Sequence, residues 1–131
     1  MLNDDVLQAV ESASKGLLFV SEIDADLVPF VGPVTTSITA EIVLKMANAE
    51  AGPIEEISPE DFFVRLATIR EWHGSVQKER AKKYQELFQL LKDNLRELKV
   101  FRVGKIRIDI YIIGINDDGR VLGIKTTAVE T

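Results

Sequence analysis

The chain contains no cysteine, which excludes disulfides, thiolate metal sites and cysteine nucleophiles together. It has one histidine, His73, so a multi-histidine metal centre is excluded as well. No apolar run approaches the roughly 18 residues that a membrane-spanning helix needs. There is no Gly-x-Ser-x-Gly elbow, no P-loop and no dinucleotide fingerprint. His73 has no recognisable nucleophile or orienting partner, and it reads as a loop histidine rather than a general base. Ser/Gly linkers, low-complexity tracts and internal repeats are also missing. The first residues carry acids at Asp4, Asp5 and Glu11 in place of a signal or transit pattern, which predicts a cytoplasmic protein.

What is present suits one folded unit. The 131 residues are 46% hydrophobic and 28% charged, enough to bury a core and keep a solvated surface, so a single domain over 1–131 is expected. The net charge is −5 but unevenly spread. Residues 1–61 hold twelve acids and two bases; residues 62–131 hold fourteen bases and nine acids. That asymmetry predicts an acidic face, which would repel nucleic acid and attract basic proteins. The Lys78–Lys83 run is basic but lacks any nucleic-acid motif, so it reads as a solvated helix face rather than a direct nucleic-acid site.

The local signals alternate between helix and strand. Residues 4–15 read as a helix, capped by Asn3 and stopped by Lys15-Gly16. Leu17–Val20 reads as a buried strand and Ser21–Asp26 as an acidic polar turn. Leu27–Val31 reads as a strand kept off the sheet centre by Pro29 and broken by Gly32-Pro33. Thr36 or Ser37 is expected to start a second helix over about 38–48, with Ile42, Val43 and Met46 inward. Ile54–Ile57 reads as a short strand. Ser58-Pro59-Glu60-Asp61 is a strong helix start: a capping hydroxyl, proline in the first turn, then acids near the positive end of the helix dipole. Residues 76–97 carry the longest helical periodicity, through Ala81, Tyr84, Leu87, Phe88, Leu91 and Leu95.

The last third alternates with period two. Ile106, Ile108, Ile110 and Ile112 point one way; Arg107, Asp109, Tyr111 and Ile113 point the other. With Leu98–Val103, the turns at Gly104-Lys105 and Asn116–Gly119, and Arg120–Val129, this predicts a C-terminal three-strand antiparallel meander. The class is α+β, with helices expected on both faces of the sheet because both faces of the second strand are partly apolar.

Two acidic features stand out. Glu22, Asp24 and Asp26 alternate; without the glycine and downstream glutamate of an EF-hand they read as solvated acids rather than a calcium loop. At the other end, Glu130 and Thr131 follow the last strand. A carboxylate, a hydroxyl and a neighbouring acid there form an oxygen set of the kind hard cations favour. The residues alone leave this open between an outward-aimed oxygen cluster and a frayed end.

Several segments, in order and with similar spacing, resemble the nuclease A inhibitor (NuiA) family: Gly16-Leu17-Leu18-Phe19-Val20-Ser21-Glu22, Glu41-Ile42-Val43-Leu44, Phe62–Thr68, Glu71-Trp72, Val103-Gly104, Asp109–Gly114 and the ending Val129-Glu130-Thr131. The resemblance spans nearly the whole chain and implies an α/β/α sandwich with a mainly antiparallel sheet. It implies a protein inhibitor of a sugar-non-specific DNA/RNA nuclease of the ββα-metal type, monomeric when free and not itself an enzyme. Carried over, the Thr131 carboxylate faces the partner's divalent metal, a Mg²⁺ or similar ion that the nuclease supplies, so no intrinsic cofactor is expected. Glu22 addresses the catalytic site. Glu71 stands where the family pattern has an aspartate before Trp72. Asp24 and Glu130 complete the partner-binding set. Residues 23–36 match the pattern poorly. The alternative reading is an α+β adaptor domain that binds some other basic protein.

Overall fold

The computed structural model describes residues 2–47, 53–68 and 74–130. Its elements in chain order are α1 (Leu2–Ser14), β1 (Leu18–Val20), β2 (Asp24–Asp26), β3 (Val28–Val34), α2 (Ala40–Met46), β4 (Ile54–Ile57), α3 (Pro59–Ala67), α4 (Ser75–Asn94), β5 (Arg96–Val103), β6 (Arg107–Ile115) and β7 (Arg120–Val129). Five strands form one antiparallel sheet in the order β3-β7-β6-β5-β4, and β1 and β2 pair separately. The fold is α+β.

Alternation along β6 sorts two cores onto the two faces of the sheet. Ile108, Ile110 and Ile112 pack with Val10 of α1, Phe63 of α3, and Tyr84, Leu87 and Leu91 of α4. Tyr111, Ile113 and Ile115 pack with Val43 of α2 and with Phe101, Val103 and Val121. Helices therefore cover both faces, three on one side and α2 on the other, as an α/β/α sandwich requires. No helix among the described residues is long and apolar enough to cross a membrane.

The local starts and stops follow their chemistry. Ser58 Oγ accepts the Asp61 N–H at 3.1 Å with Pro59 in the first turn. Thr39, rather than Thr36 or Ser37, caps α2 by accepting the Ile42 N–H. On α2 it is Val43 that is buried, with Leu44, Met46 and Ala47 packed beside it. Helix α4 ends at Asn94, earlier than its periodicity suggests. Leu95 is already extended, and Glu97 takes a φ of +52° where β5 shifts register against β6. The Glu97 carboxylate accepts the Ile38 N–H at 3.1 Å and the Ser37 hydroxyl at 3.4 Å, while Lys99 Nζ donates to the Ile38 carbonyl. This clamp fixes the loop entering α2.

Four other expectations are corrected. Helix α1 begins at Leu2, so Asn3 lies within it. Leu17 is buried, but Leu18–Val20 are only partly covered and form a separate hairpin with Asp24–Asp26 rather than a buried strand. Gly32-Pro33 does not break β3; the strand runs on to Val34 through a register shift after Val31. Arg120 donates to the Gly32 carbonyl at 3.1 Å and Thr35 N–H to the Gly119 carbonyl at 2.8 Å, so the irregular stretch keeps its partners. Pro29 does sit on an edge strand, as its missing donor requires. Ile106 lies before β6 and is exposed. Strands β3 and β4, both from the acidic half, occupy opposite edges with the basic half's strands between them, so the sequence halves interleave within the sheet.

The hairpin is held by side chains from far along the chain. Tyr84 donates its hydroxyl to the Leu18 carbonyl at 2.6 Å, and Thr126 Oγ1 donates to the Asp26 carbonyl at 3.0 Å. Burial pushes Tyr84 from 10.0 up to about 12, partly opposed by Arg80. The neutral phenol is thus favoured in the fold; its contribution is complete below 10.0 and is lost as pH rises towards about 12. Tyr84→Phe is expected to lower unfolding free energy by about 1–2 kcal/mol at neutral pH, because the Leu18 carbonyl loses its donor. It should also flatten the loss of stability across that alkaline window, as measured by urea unfolding at stepped pH.

Candidate functional site

The last residues of β7 are fixed on both sides. On one side Val129 N–H donates to Ser21 Oγ at 3.1 Å, and Glu22 N–H donates to the Val129 carbonyl at 3.3 Å. On the other, Glu130 N–H donates to the Ile106 carbonyl at 2.9 Å. Ser21 can serve β7 because the bend after β1 holds it: its N–H and hydroxyl both donate to the Ile23 carbonyl, at 2.9 and 3.2 Å. The Ser21–Ile23 bend and the β5–β6 turn therefore grip the chain as it leaves the sheet.

Gly104 makes that turn possible. Its φ is +118°, and a Cβ there would stand 2.2 Å from the Arg107 carbonyl oxygen. Its N–H reaches the Pro53 carbonyl at 2.9 Å, tying the turn to the start of β4.

At this corner lies an open groove of about 680 Å³ between α3 and the end of the helix-rich face. Its floor is apolar: Phe19 and Phe62 stack with ring centroids 5.7 Å apart, beside Ile57, Leu66 and Ile110. Its walls carry three acids, Glu22, Asp61 and Glu130, and two guanidinium groups, Arg65 and Arg102. Arg102 Nη2 lies 2.5 Å from Glu130 Oε2. A smaller groove of about 360 Å³ adjoins it, and Arg102 and Glu130 line both. Val20, Ile23 and Ile106, all exposed, neighbour Glu22 and Glu130 in the chain or across these bonds. Exposed apolar side chains rimmed by charge are what a protein interface presents.

Of the residues expected to form a site, Glu22 and Glu130 are brought together here, although 108 positions separate them. Asp24 lies in β2 opposite Val20 and is not part of the groove wall. Glu71, Trp72 and Thr131, and His73 with them, lie outside the described residues. Among the described residues no three acidic or imidazole side chains gather as a metal site. Asp61, Arg65 and Arg102 were not foreseen as site residues. Two signals did point to them: the Ser58 cap fixes where Asp61 falls on α3, and alternation from buried Val100 puts Arg102 on the helix-covered face.

The sequence matches the family described as nuclease A inhibitor-like protein over residues 4–131. The chain belongs to that family. No curated protein matches it. Membership in the nuclease A inhibitor-like family implies a nuclease inhibitor and hence a nuclease partner. Three segments of the resemblance lie in the described residues before β5, and they include the bend at Glu22 and the groove wall on α3.

Ser21 is the pivot of the corner in this nuclease A inhibitor-like protein. Ser21→Ala removes the acceptor for Val129 N–H and is expected to cost about 1 kcal/mol in urea unfolding. Amide hydrogen exchange should quicken at Val129 while Ile112 and Ile124, deep in the sheet, keep their protection relative to global stability.

Proposed function

We propose that this protein inhibits a sugar-non-specific DNA/RNA nuclease of the ββα-metal type by seating the Glu22–Glu130 corner in its active-site cleft. The observation that carries the reading is the convergence of Glu22 and Glu130 at the end of β7, which backbone hydrogen bonds grip on both sides. Family membership supplies the kind of partner.

The partner's chemistry explains why such a corner would bind. A nuclease that cleaves a polyanion needs a cationic cleft. Its divalent ion must keep open positions for a phosphate oxygen. Fixed carboxylates answer both demands, and they carry no scissile bond. In this reading Thr131, next after Glu130, turns its carboxylate to the nuclease's metal, and that Mg²⁺ or similar ion belongs wholly to the partner. Glu22 faces the catalytic groups. Glu71 and Trp72 form part of the rim, where a tryptophan excludes water and slows dissociation. Asp24 adds to the negative potential that steers encounter.

The test titrates the protein into a Mg²⁺-dependent assay of a ββα-metal nuclease, at low and raised salt. Stoichiometric inhibition that weakens with salt is expected; binding without inhibition would replace the inhibitor by an adaptor for a basic protein. Glu22→Gln should slow association several-fold and reduce its salt dependence, because steering scales with charge. Extending the chain by a few residues beyond Thr131 should weaken inhibition roughly 30-fold or more, the cost of losing one partner of a desolvated charged contact. Unchanged inhibition by the extended protein would remove the terminal carboxylate from the mechanism.

A further inference from the structure

We infer that Arg102 is a positioning residue that straps the end of β7 across β6 and so fixes the orientation of Glu130. The functional consequence rests on the inhibitor reading above; the strap itself does not.

The geometry is specific. In the sheet order, β6 lies between β5, which carries Arg102, and β7, which leads to Glu130. Arg102 is opposite Ile110 in register, and Ile110 is opposite Thr126, four residues before Glu130. The guanidinium therefore reaches diagonally over the first part of β6 to meet Glu130 Oε2 at 2.5 Å. Ile110 lies in the larger groove and Ile108 in the smaller, so the ion pair is the partition between them. Glu55 on β4 is Arg102's other register partner and lines the smaller groove with it. Arg102 thus stands between an acid on the edge strand and the acid at the chain end, and the ion pair is with the latter.

Stability is not what this pair supplies. The two side chains are 26% and 54% exposed, and ion pairs in water contribute little to folding. A guanidinium is a planar fork, however, and it fixes the orientation of the carboxylate it meets. Together with the Glu130 N–H bond to Ile106, it holds Glu130 by side chain and backbone at once. Charge argues against the simpler role of helping electrostatic encounter: a cation at the centre of an acidic corner opposes steering towards a basic cleft. Its place there suits ordering Glu130 before contact, which lowers the entropy lost on binding.

The two roles differ in sign, and this makes the test decisive. The first measurement is amide hydrogen exchange at Glu130 in the free protein. Arg102→Gln and Glu130→Gln should each raise it about three- to fivefold, the range an exposed ion pair allows, and the double variant should add nothing further. Exchange at Ile112 should stay as in the parent. A Glu130 amide already unprotected in the parent, or unmoved by Arg102→Gln, overturns the strap whatever the partner proves to be. The second measurement is binding kinetics against a Mg²⁺-loaded ββα-metal nuclease. Arg102→Gln should dissociate several-fold faster with association equal or faster, and Arg102→Lys, which keeps the charge but not the fork, should fall between. Slower association with unchanged dissociation overturns positioning. Failure of the parent protein to bind any such nuclease defeats the inhibitor reading alone, and the exchange result then decides the strap.

Discussion

The register between β6 and β7 governs the rest of the molecule. Strand β6 is buried on both faces: Ile108, Ile110 and Ile112 meet the three-helix layer, while Tyr111, Ile113 and Ile115 meet the α2 side. A slip of one residue would drive Asp109 into the helix-covered core and move three isoleucines out of it, exchanging apolar burial for an uncompensated carboxylate. The register that avoids this pairs Arg107 with Val129. That pairing delivers Glu130 to the β5–β6 turn, where Ile106 and Arg102 receive it. A constraint of core packing thus becomes the constraint that builds the candidate site.

The same register positions the hairpin. Thr126 shares a face with Ala128 and Leu122, and its hydroxyl reaches the Asp26 carbonyl from there. Tyr84 on α4 takes the Leu18 carbonyl from the helix layer. Neither strand of the hairpin joins the main sheet, so these two hydroxyls do what a sheet ladder would otherwise do. The Ser21 bend is held against the end of β7 as a result, and Glu22 comes to the groove that Glu130 already lines. Packing of α4 on the sheet is in this way coupled to the geometry of the acidic corner.

Local chemistry made much of the fold legible in the sequence. The meander, the Ser58 cap, the short strand at Ile54–Ile57 and the edge position imposed by Pro29 each follow from a period, a cap or a missing donor within a few residues. What the sequence hid depends on partners distant in the chain. The β1–β2 hairpin needs Tyr84 and Thr126; the passage of β3 through Gly32-Pro33 needs Arg120; the early end of α4 follows from the left-handed Glu97 and its clamp on Ser37 and Ile38. The site divides in the same way. Glu22 and Glu130 stand out by their neighbouring acids and by family resemblance, whereas Arg102 is one of fourteen bases in residues 62–131. Its role emerges only once β5 and β7 are known to flank β6, because no local pattern says that residue 102 can reach residue 130.

The charge on the groove wall bears on how an inhibitor of this kind can be both negative and ordered. Carboxylates crowded without counter-charge repel each other and drive their side chains apart. Interleaving Arg65 and Arg102 among Glu22, Asp61 and Glu130 relieves that repulsion at the cost of net charge. The loss falls on encounter, where the remaining acids of the hairpin still act at long range. In the proposed complex the gain falls on the bound state, where each anion would meet the partner from a fixed direction. Since affinity among related interfaces is set mostly by dissociation, a corner that trades steering for fixed geometry would favour the proposed complex, and the proportion of arginine to acid around the end of β7 is the variable through which that trade would be made.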